Sequence, residues 1–199
     1  MKARGYIPKL VMIMSGLLLM SCLLPGMIPL NREPASPMPT MEKNADNVIK
    51  ALTSNNYVRL EALAKEQYTE QDFAKPGTLT FTVNITADQP TYFSYGWCAV
   101  DDVTLQNNFQ HIEVSLYFND DKLDKDVVHT LSFTSANNLH CADFGVLMSD
   151  WSNGEYKLKA IATFKDKIND GMADYAAGDY VFEYNVTVTK SEKKTPSAP

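Results

Sequence analysis

Gly77-Thr78-Leu79-Thr80-Phe81-Thr82-Val83-Asn84-Ile85-Thr86 decides the architecture. Successive side chains of an extended chain point to opposite faces, so Leu79, Phe81, Val83 and Ile85 share one face and the threonines and Asn84 share the other. Threonine is β-branched and suits the wet face of a half-buried strand. Wound as a helix, the same residues would scatter their apolar side chains around the axis and leave no face to bury. The pattern recurs further along. Ile112, Val114, Leu116 and Phe118 alternate with Glu113, Ser115 and Tyr117 until Asn119-Asp120-Asp121 turns the chain. Tyr156, Leu158, Ala160, Ala162 and Phe164 alternate against Lys157, Lys159 and Lys165, and Tyr180, Phe182, Tyr184, Val186 and Val188 repeat the pattern. Shorter runs over 91–99, 127–134 and 143–148 bring the expected total to about seven strands.

Between 77 and 190 no long helical period intervenes, and the strands are not apolar on both faces. A parallel sheet with helical crossovers is therefore disfavoured, and the expected fold is mainly β, a two-layer antiparallel sandwich. Trp151-Ser152-Asn153-Gly154-Glu155-Tyr156-Lys157-Leu158, followed by Gly178-Asp179-Tyr180, resembles the last two strands of immunoglobulin-like and fibronectin type III-like modules. That resemblance implies an immunoglobulin-like sandwich. Trp97 directly precedes Cys98 instead of standing midway between two cysteines, which departs from the antibody pattern.

Upstream, residues 43–76 carry Val48, Ile49 and Leu52, then Tyr57, Leu60, Leu63 and Ala64, at helical spacing. Two short helices are expected, the first capped by Asn44 or Asp46 and the second preceded by Asn55-Asn56, with Pro76-Gly77 ending the segment. Residues 23–42 hold Pro25, Pro29, Pro34, Pro37 and Pro39 without a period and read as a stiff, unpacked tether. The polar end, 191–199, reads as a disordered tail.

Residues 1–22 read as an export signal. Lys2, Arg4 and Lys9 precede an uncharged apolar run that starts at Leu10. Within it, Leu19-Met20-Ser21-Cys22 resembles the lipobox of bacterial lipoproteins, with Met20 bulkier than the small residue usual there. The resemblance implies lipidation of Cys22, which becomes the mature N-terminus. The alternative is an uncleaved anchor, since Leu10 to Leu30 would span roughly 30 Å as a helix; release as a soluble secreted protein lacks a small-x-small cleavage signal. Positive charge ahead of the apolar run keeps the N-terminus inside and sends the domain to the extracytoplasmic side of the cell membrane.

The chain has 18 basic and 24 acidic residues; loss of Lys2, Arg4 and Lys9 with the leader leaves 15 against 24, a formal charge of −9. That sign disfavours nucleic acid and anionic lipid surfaces. If Cys22 carries lipid, Cys98 and Cys141 remain as an even pair in an oxidising compartment, and a disulfide between them is expected. A metal site built from those cysteines and His140 is short of ligands.

Candidate chemistry is sparse. Asp166, Asp170, Asp174 and Asp179 suggest a calcium loop, yet counting from Asp166 puts Ile168 and Ala177 where oxygen ligands are needed. His111, His129 and His140 are the only imidazoles and sit in no catalytic motif. No enzyme activity, cofactor or metal is therefore expected. The aromatic stretch 92–98 is the best candidate for a working surface: Phe93, Tyr95 and Trp97 share one face, and with Trp151 they form a candidate binding surface for an envelope protein or a glycan. The expected role is a membrane-anchored extracytoplasmic binding or structural module; an envelope-associated hydrolase or a glycan-binding protein is the alternative.

Overall fold

In the computed structural model the alternating stretches become two sheets whose inner faces pack on each other. The structure describes residues 37–64 and 67–191, all within one compact unit. The leader with Cys22, most of the tether and the tail from 192 lie outside the described residues. Among the described residues no helix is long and apolar enough to cross a membrane.

In chain order the elements are β1 (Thr40–Met41), α1 (Ala45–Thr53), β2 (Val58–Arg59), α2 (Leu60–Ala64), α3 (Glu70–Phe73), β3 (Gly77–Thr86), β4 (Thr91–Ala99) and α4 (Asp102–Phe109). Then follow β5 (Ile112–Phe118), β6 (Asp121–Lys122), β7 (His129–Thr134), β8 (His140–Ser149), β9 (Gly154–Phe164), β10 (Ile168–Asn169), β11 (Asp174–Tyr175) and β12 (Gly178–Thr189). The strands of six residues or more are β3, β4, β5, β7, β8, β9 and β12.

One sheet runs β3-β12-β9-β5-β6, and the other runs β8-β4-β2 with β1 and β7 sharing the far edge of β8. Phe81, Val83 and Ile85 of β3 are buried, and so are the alternate residues of β9 from Tyr156 to Phe164, because the pleat turns them toward the opposite sheet. Aromatic edges and faces knit the layers: Phe93 meets Tyr184 at 5.6 Å between ring centroids, and Trp97 meets Phe164 at 5.2 Å. Such pairs contribute about 0.5–1.5 kcal/mol each beyond their buried area.

The sheets are mixed, which corrects the expectation of a purely antiparallel sandwich. β12 pairs parallel with β3 over the whole of β3, from Tyr180 beside Gly77 to Thr189 beside Thr86, and β2 pairs parallel with β4. Alternation reports which face is buried and is the same for either direction of the neighbour, so it carries no information on polarity.

Three local expectations change as well. α1 is capped by Asn44, whose Oδ1 accepts from the Asp46 N–H at 2.8 Å, and ends before Asn55, which takes the left-handed region at φ 54°. The expected second helix is broken up: Val58 and Arg59 form β2, Leu60–Ala64 form α2, and Glu70–Phe73 form the further short helix α3. The end of the presumed tether packs, with Pro39 buried and Thr40 and Met41 paired to Ser149 and Met148. α4 was not expected at all; Asp101 starts it by accepting from the Thr104 N–H at 2.7 Å. Its apolar residues form no stripe, since Leu105 is buried while Val103 is 70% exposed.

Candidate functional site

An exposed sheet edge is a row of unpaired N–H and C=O groups, and most edges of this molecule are closed by other parts of it. β3 is capped by side chains. Gln67 donates to the Thr82 carbonyl at 3.0 Å and accepts from the Thr82 N–H at 2.9 Å; Tyr68 does the same with Thr80 at 3.0 and 3.2 Å. β5 is covered by β6 only at Tyr117 and Phe118, and β8 is covered by β7 and β1.

β4 is different. β2 covers its start at Thr91 and Tyr92, and beyond its end the Val100 N–H donates to the Asp170 carbonyl at 2.9 Å. The groups that point away from β8 follow from register. Cys98 faces Cys141 with Cα atoms 4.0 Å apart, the close spacing of a pair that exchanges no main-chain bonds. The Pro90 carbonyl points outward and accepts from the Val58 N–H, and the Val100 N–H also bonds outward, which gives the same parity. Ser94, Gly96 and Cys98 therefore present their N–H and C=O away from β8, and among the described residues no backbone group pairs with them. β7 has a free outer edge too, but it is short, with most of its side chains exposed.

Beside the free length of β4 the mouth between the sheets narrows to a slot of about 200 Å³. β4 supplies Tyr95 and Trp97, β12 supplies Phe182 and Tyr184, α3 supplies Phe73, and β11 supplies Tyr175, with Glu61 of α2 in the lining as well. Each is held from behind. α2 plugs the mouth through buried Leu60 and Ala64. The β10–β11 hairpin is docked onto the end of β4 by the Val100–Asp170 bond, and Gly171 lies so close to Val100 that a Cβ there would sit 2.1 Å from Cγ2. Burial is the main cause of the raised pKa of Tyr95, Tyr184 and Tyr175; Tyr175, which also donates to Asp170 at 3.1 Å, is pushed up to about 12. All three rings stay neutral at physiological pH.

The outer face of β4 carries a polar cluster. Arg59 Nη1 donates to Asp143 Oδ2 at 3.0 Å, its Nε donates to the Tyr57 hydroxyl at 3.3 Å, and its guanidinium lies 5.3 Å from the Tyr92 ring centroid. Burial raises the Asp143 pKa despite the pull of Arg59. For Arg59, burial pushes the pKa down, but the bonds to Tyr57 and Asp143 more than offset it and the net direction is up. Gly96 lies directly under Asp143: a Cβ there would be 2.3 Å from Oδ1. Cys98 and Cys141 are joined by a disulfide on this same face.

The sequence-derived candidates distribute as follows. Phe93, Tyr95, Trp97 and Trp151 are only 0%, 9%, 9% and 4% exposed, so they do not form a binding surface. The shared face of β4 turns inward because the opposite sheet covers it, and Trp151 stacks elsewhere, against Phe118 and Tyr156. Tyr95 and Trp97 nonetheless reach the slot from inside. The acidic loop engages its own groups: Asp170 accepts from the Met172 and Ala173 N–H groups at 2.7 Å, Asp174 pairs with Lys167 at 2.7 Å, and Asp179 accepts from Thr163 at 2.7 Å. No cluster of three metal-ligating side chains occurs among the described residues. His111 contacts Asp166 and His129 contacts the Glu42 carbonyl, far apart in sequence. Sequence reasoning missed Glu61, Phe73, Tyr175 and Phe182; Phe182 was visible as a strand residue, but no local signal brings it beside Tyr95.

A larger groove of about 430 Å³ opens at the opposite mouth. It is floored by Ile112, Val114 and Leu116 and rimmed by Lys122, Lys125 and Lys165 together with Glu113. The outer edge of β5 borders it; β6 and the Leu123 N–H bond to the Leu116 carbonyl close only its far end, and among the described residues no backbone group pairs with the outward side of Ile112 and Val114.

No family model matches the chain, and no curated protein matches it. Among solved structures, PbICP-C in complex with falcipain-2 is similar at 10% identity over 58% of this chain and 92% of that chain, with TM-score 0.34. The cysteine protease inhibitor EhICP2 from Entamoeba histolytica is similar at 10% identity over 58% and 96%, with TM-score 0.28. Amebosin is similar at 13% identity over 56% and 96%, with TM-score 0.27. At TM-scores this low the likenesses carry no inference about activity.

Proposed function

We propose that the chain is a non-catalytic binding module, an immunoglobulin-like sandwich held at the outer side of a membrane through lipid on Cys22, that takes an extended segment of a partner protein onto the free edge of β4. The observation that carries this reading is the run of main-chain groups at Ser94, Gly96 and Cys98, which no backbone group pairs among the described residues, beside an aromatic slot. Strand addition at such an edge draws affinity from the main chain and specificity from pockets that receive alternate side chains. At about 200 Å³ the slot is smaller than the roughly 300–1,000 Å³ of most small-molecule sites and suits a single side chain. The mixed but predominantly antiparallel sheets, with aromatic residues between them, support the sandwich assignment.

Selection of random displayed heptapeptides on the detergent-extracted full chain tests the edge. Ser94→Pro removes one outward N–H and is expected to abolish capture; peptides held equally by Ser94→Pro would sink strand addition. Intact-mass measurement and membrane fractionation of Cys22→Ala test the anchor. An unmodified mass for the wild type, or unchanged attachment of the variant, would remove the lipidation.

A further inference from the structure

Residues 112–116 all line the groove at the mouth opposite the slot. Consecutive side chains of a strand point to opposite faces, so a hollow that touches all five runs along the outer edge of β5 and not into either face of the sheet. The main chain is open along that edge. The Lys165 N–H donates to the His111 carbonyl at 2.8 Å, which turns His111 toward β9, and the Leu116 carbonyl accepts from the Leu123 N–H at 2.8 Å on the side away from β9. By the same alternation the N–H and C=O of Ile112 and Val114 point away from β9, and among the described residues no backbone group pairs with them. An unpaired edge beside a hollow of about 430 Å³ has room for an added strand.

Charge selects the occupant. Glu113 is the one carboxylate in the lining, and it is already paired with Lys165 at 3.7 Å. Lys122 and Lys125 line the groove as well, both exposed and without an ion-pair partner among the described residues. Asp121, Asp124 and Asp126 stand beside them in the chain but do not line the groove, and Asp126 is taken up by Lys43 at 2.6 Å. The formal charge of −6 opposes an anion at long range, yet at physiological ionic strength exposed charges more than about 8 Å apart are largely screened, so the two ammonium groups at the groove decide.

We infer that this groove is a second docking edge, which takes an extended acidic segment of a partner protein beside Ile112 and Val114. It stands apart from the β4 site and does not depend on it. Register specifies the positions, because residues that pair across neighbouring strands share a face. Partner side chains opposite Ile112 and Val114 turn toward the apolar floor, where Leu116 and Phe144 also line the hollow, so apolar residues suit them. Ser115 shares its face with Tyr117, and Tyr117 pairs with Lys122. A partner residue opposite Ser115 therefore turns to the side of the sheet that carries Lys122, which is the position for Asp or Glu. Opposite Glu113 a carboxylate would meet a like charge and is disfavoured.

The test uses the full chain in a non-ionic detergent and three labelled peptides, acetyl-Thr-Val-Thr-Val-X-Val-Thr-amide with X as Glu, Ser or Lys, measured by fluorescence anisotropy. At low salt the Glu peptide is expected to bind about fivefold more tightly than the Ser peptide, and the Lys peptide more weakly than either. Lys122 and Lys125 are exposed, so Lys122→Gln with Lys125→Gln leaves the fold intact and is expected to bring the Glu peptide down to the level of the Ser peptide. Val114→Pro removes an outward N–H without touching the ladder to β9 and is expected to abolish binding, whereas Ser94→Pro at the β4 edge is expected to leave it unchanged. Hydrogen exchange on the wild type gives a reading that needs no variant: with saturating Glu peptide the Ile112 and Val114 amides are expected to exchange at least about tenfold more slowly. A Lys peptide that binds as tightly as the Glu peptide overturns the acidic occupant. Unprotected amides at Ile112 and Val114 overturn the β5 edge, and so does binding that survives Val114→Pro but is lost in Ser94→Pro, a result that leaves the β4 site standing. Failure of the Glu peptide to bind overturns the inference.

Discussion

Replacing Gly96 with alanine tests the packing on the outer face of β4. The added Cβ would lie 2.3 Å from Asp143 Oδ1, and β4 cannot retreat because it is paired to β8 along its length. Asp143 has to turn away, which pulls Oδ2 from Arg59 Nη1, now 3.0 Å distant. Breaking a buried ion pair by losing one partner costs about 3–5 kcal/mol. The Arg59 side chain is 34% exposed and regains water, whereas that of Asp143 is 5% exposed and regains little, so the expected loss is about 2–3 kcal/mol. For a domain of this size that is a fall in Tm of roughly 5–10 °C. Urea unfolding followed by tryptophan fluorescence, with thermal scans by circular dichroism, reads both quantities. Asp143→Ala removes the obstructing carboxylate, so in the Gly96→Ala/Asp143→Ala double variant the methyl group fits and the combined cost falls at least about 1 kcal/mol short of the sum. A Gly96→Ala variant within about 0.5 kcal/mol of wild type, or strict additivity in the double variant, would refute the steric argument.

Three further outcomes are expected. Replacing both Cys98 and Cys141 with serine frees a 43-residue separation in the unfolded chain and is expected to lower stability by up to about 4 kcal/mol; an unchanged urea midpoint would show that the link does not constrain the fold. The Asp101 carboxyl is held below its ordinary 3.8 by the Thr104 N–H and side chain, so its contribution is present above that value and is lost as pH falls below it. Asp143 has the opposite sign: its pKa is raised, mainly by burial, so stability declines as pH rises from 3.8 through the raised value. Urea midpoints between about pH 2 and 7 are therefore expected to lose part of their acid limb in Asp101→Ala and part of the opposing slope in Asp143→Asn, and coincident profiles would contradict both assignments. Gln67→Ala bares the Thr82 main chain at the β3 edge and is expected to cause concentration-dependent association by light scattering; a variant that scatters as wild type would show that the cap is dispensable.

Individual residues show how far sequence reading reaches. Leu79, Phe81, Val83 and Ile85 announced a strand because burial on one face imposes a period of two, and all but Leu79, which is half-buried, are buried. α4 escaped because a helix with one buried leucine and an exposed valine writes no stripe, although the Asp101 cap was visible as a residue type. The row Phe93, Tyr95 and Trp97 was legible as a shared face, but not as an inward one. Tyr92 on the other face is equally buried, against Val48 and Leu147, so composition did not distinguish core from covered back.

Period, turn residues and composition, each a property of neighbours in the chain, were enough for a mainly β domain, for the location of its long strands and for the pairing of Cys98 with Cys141. Direction and adjacency of strands were decided only in three dimensions. β3 and the last strand, β12, lie parallel, β3 is closed by two side chains from a preceding loop, and β4 is left open between α2 and the β10–β11 hairpin. The slot follows from that closure, since its seven lining groups of consequence come from five elements spread from Glu61 to Tyr184. A strand's alternation records the polarity of its two faces, whereas main-chain groups at its edges are chemically the same in every residue but proline. Which edge stays free is therefore a property of the packed molecule.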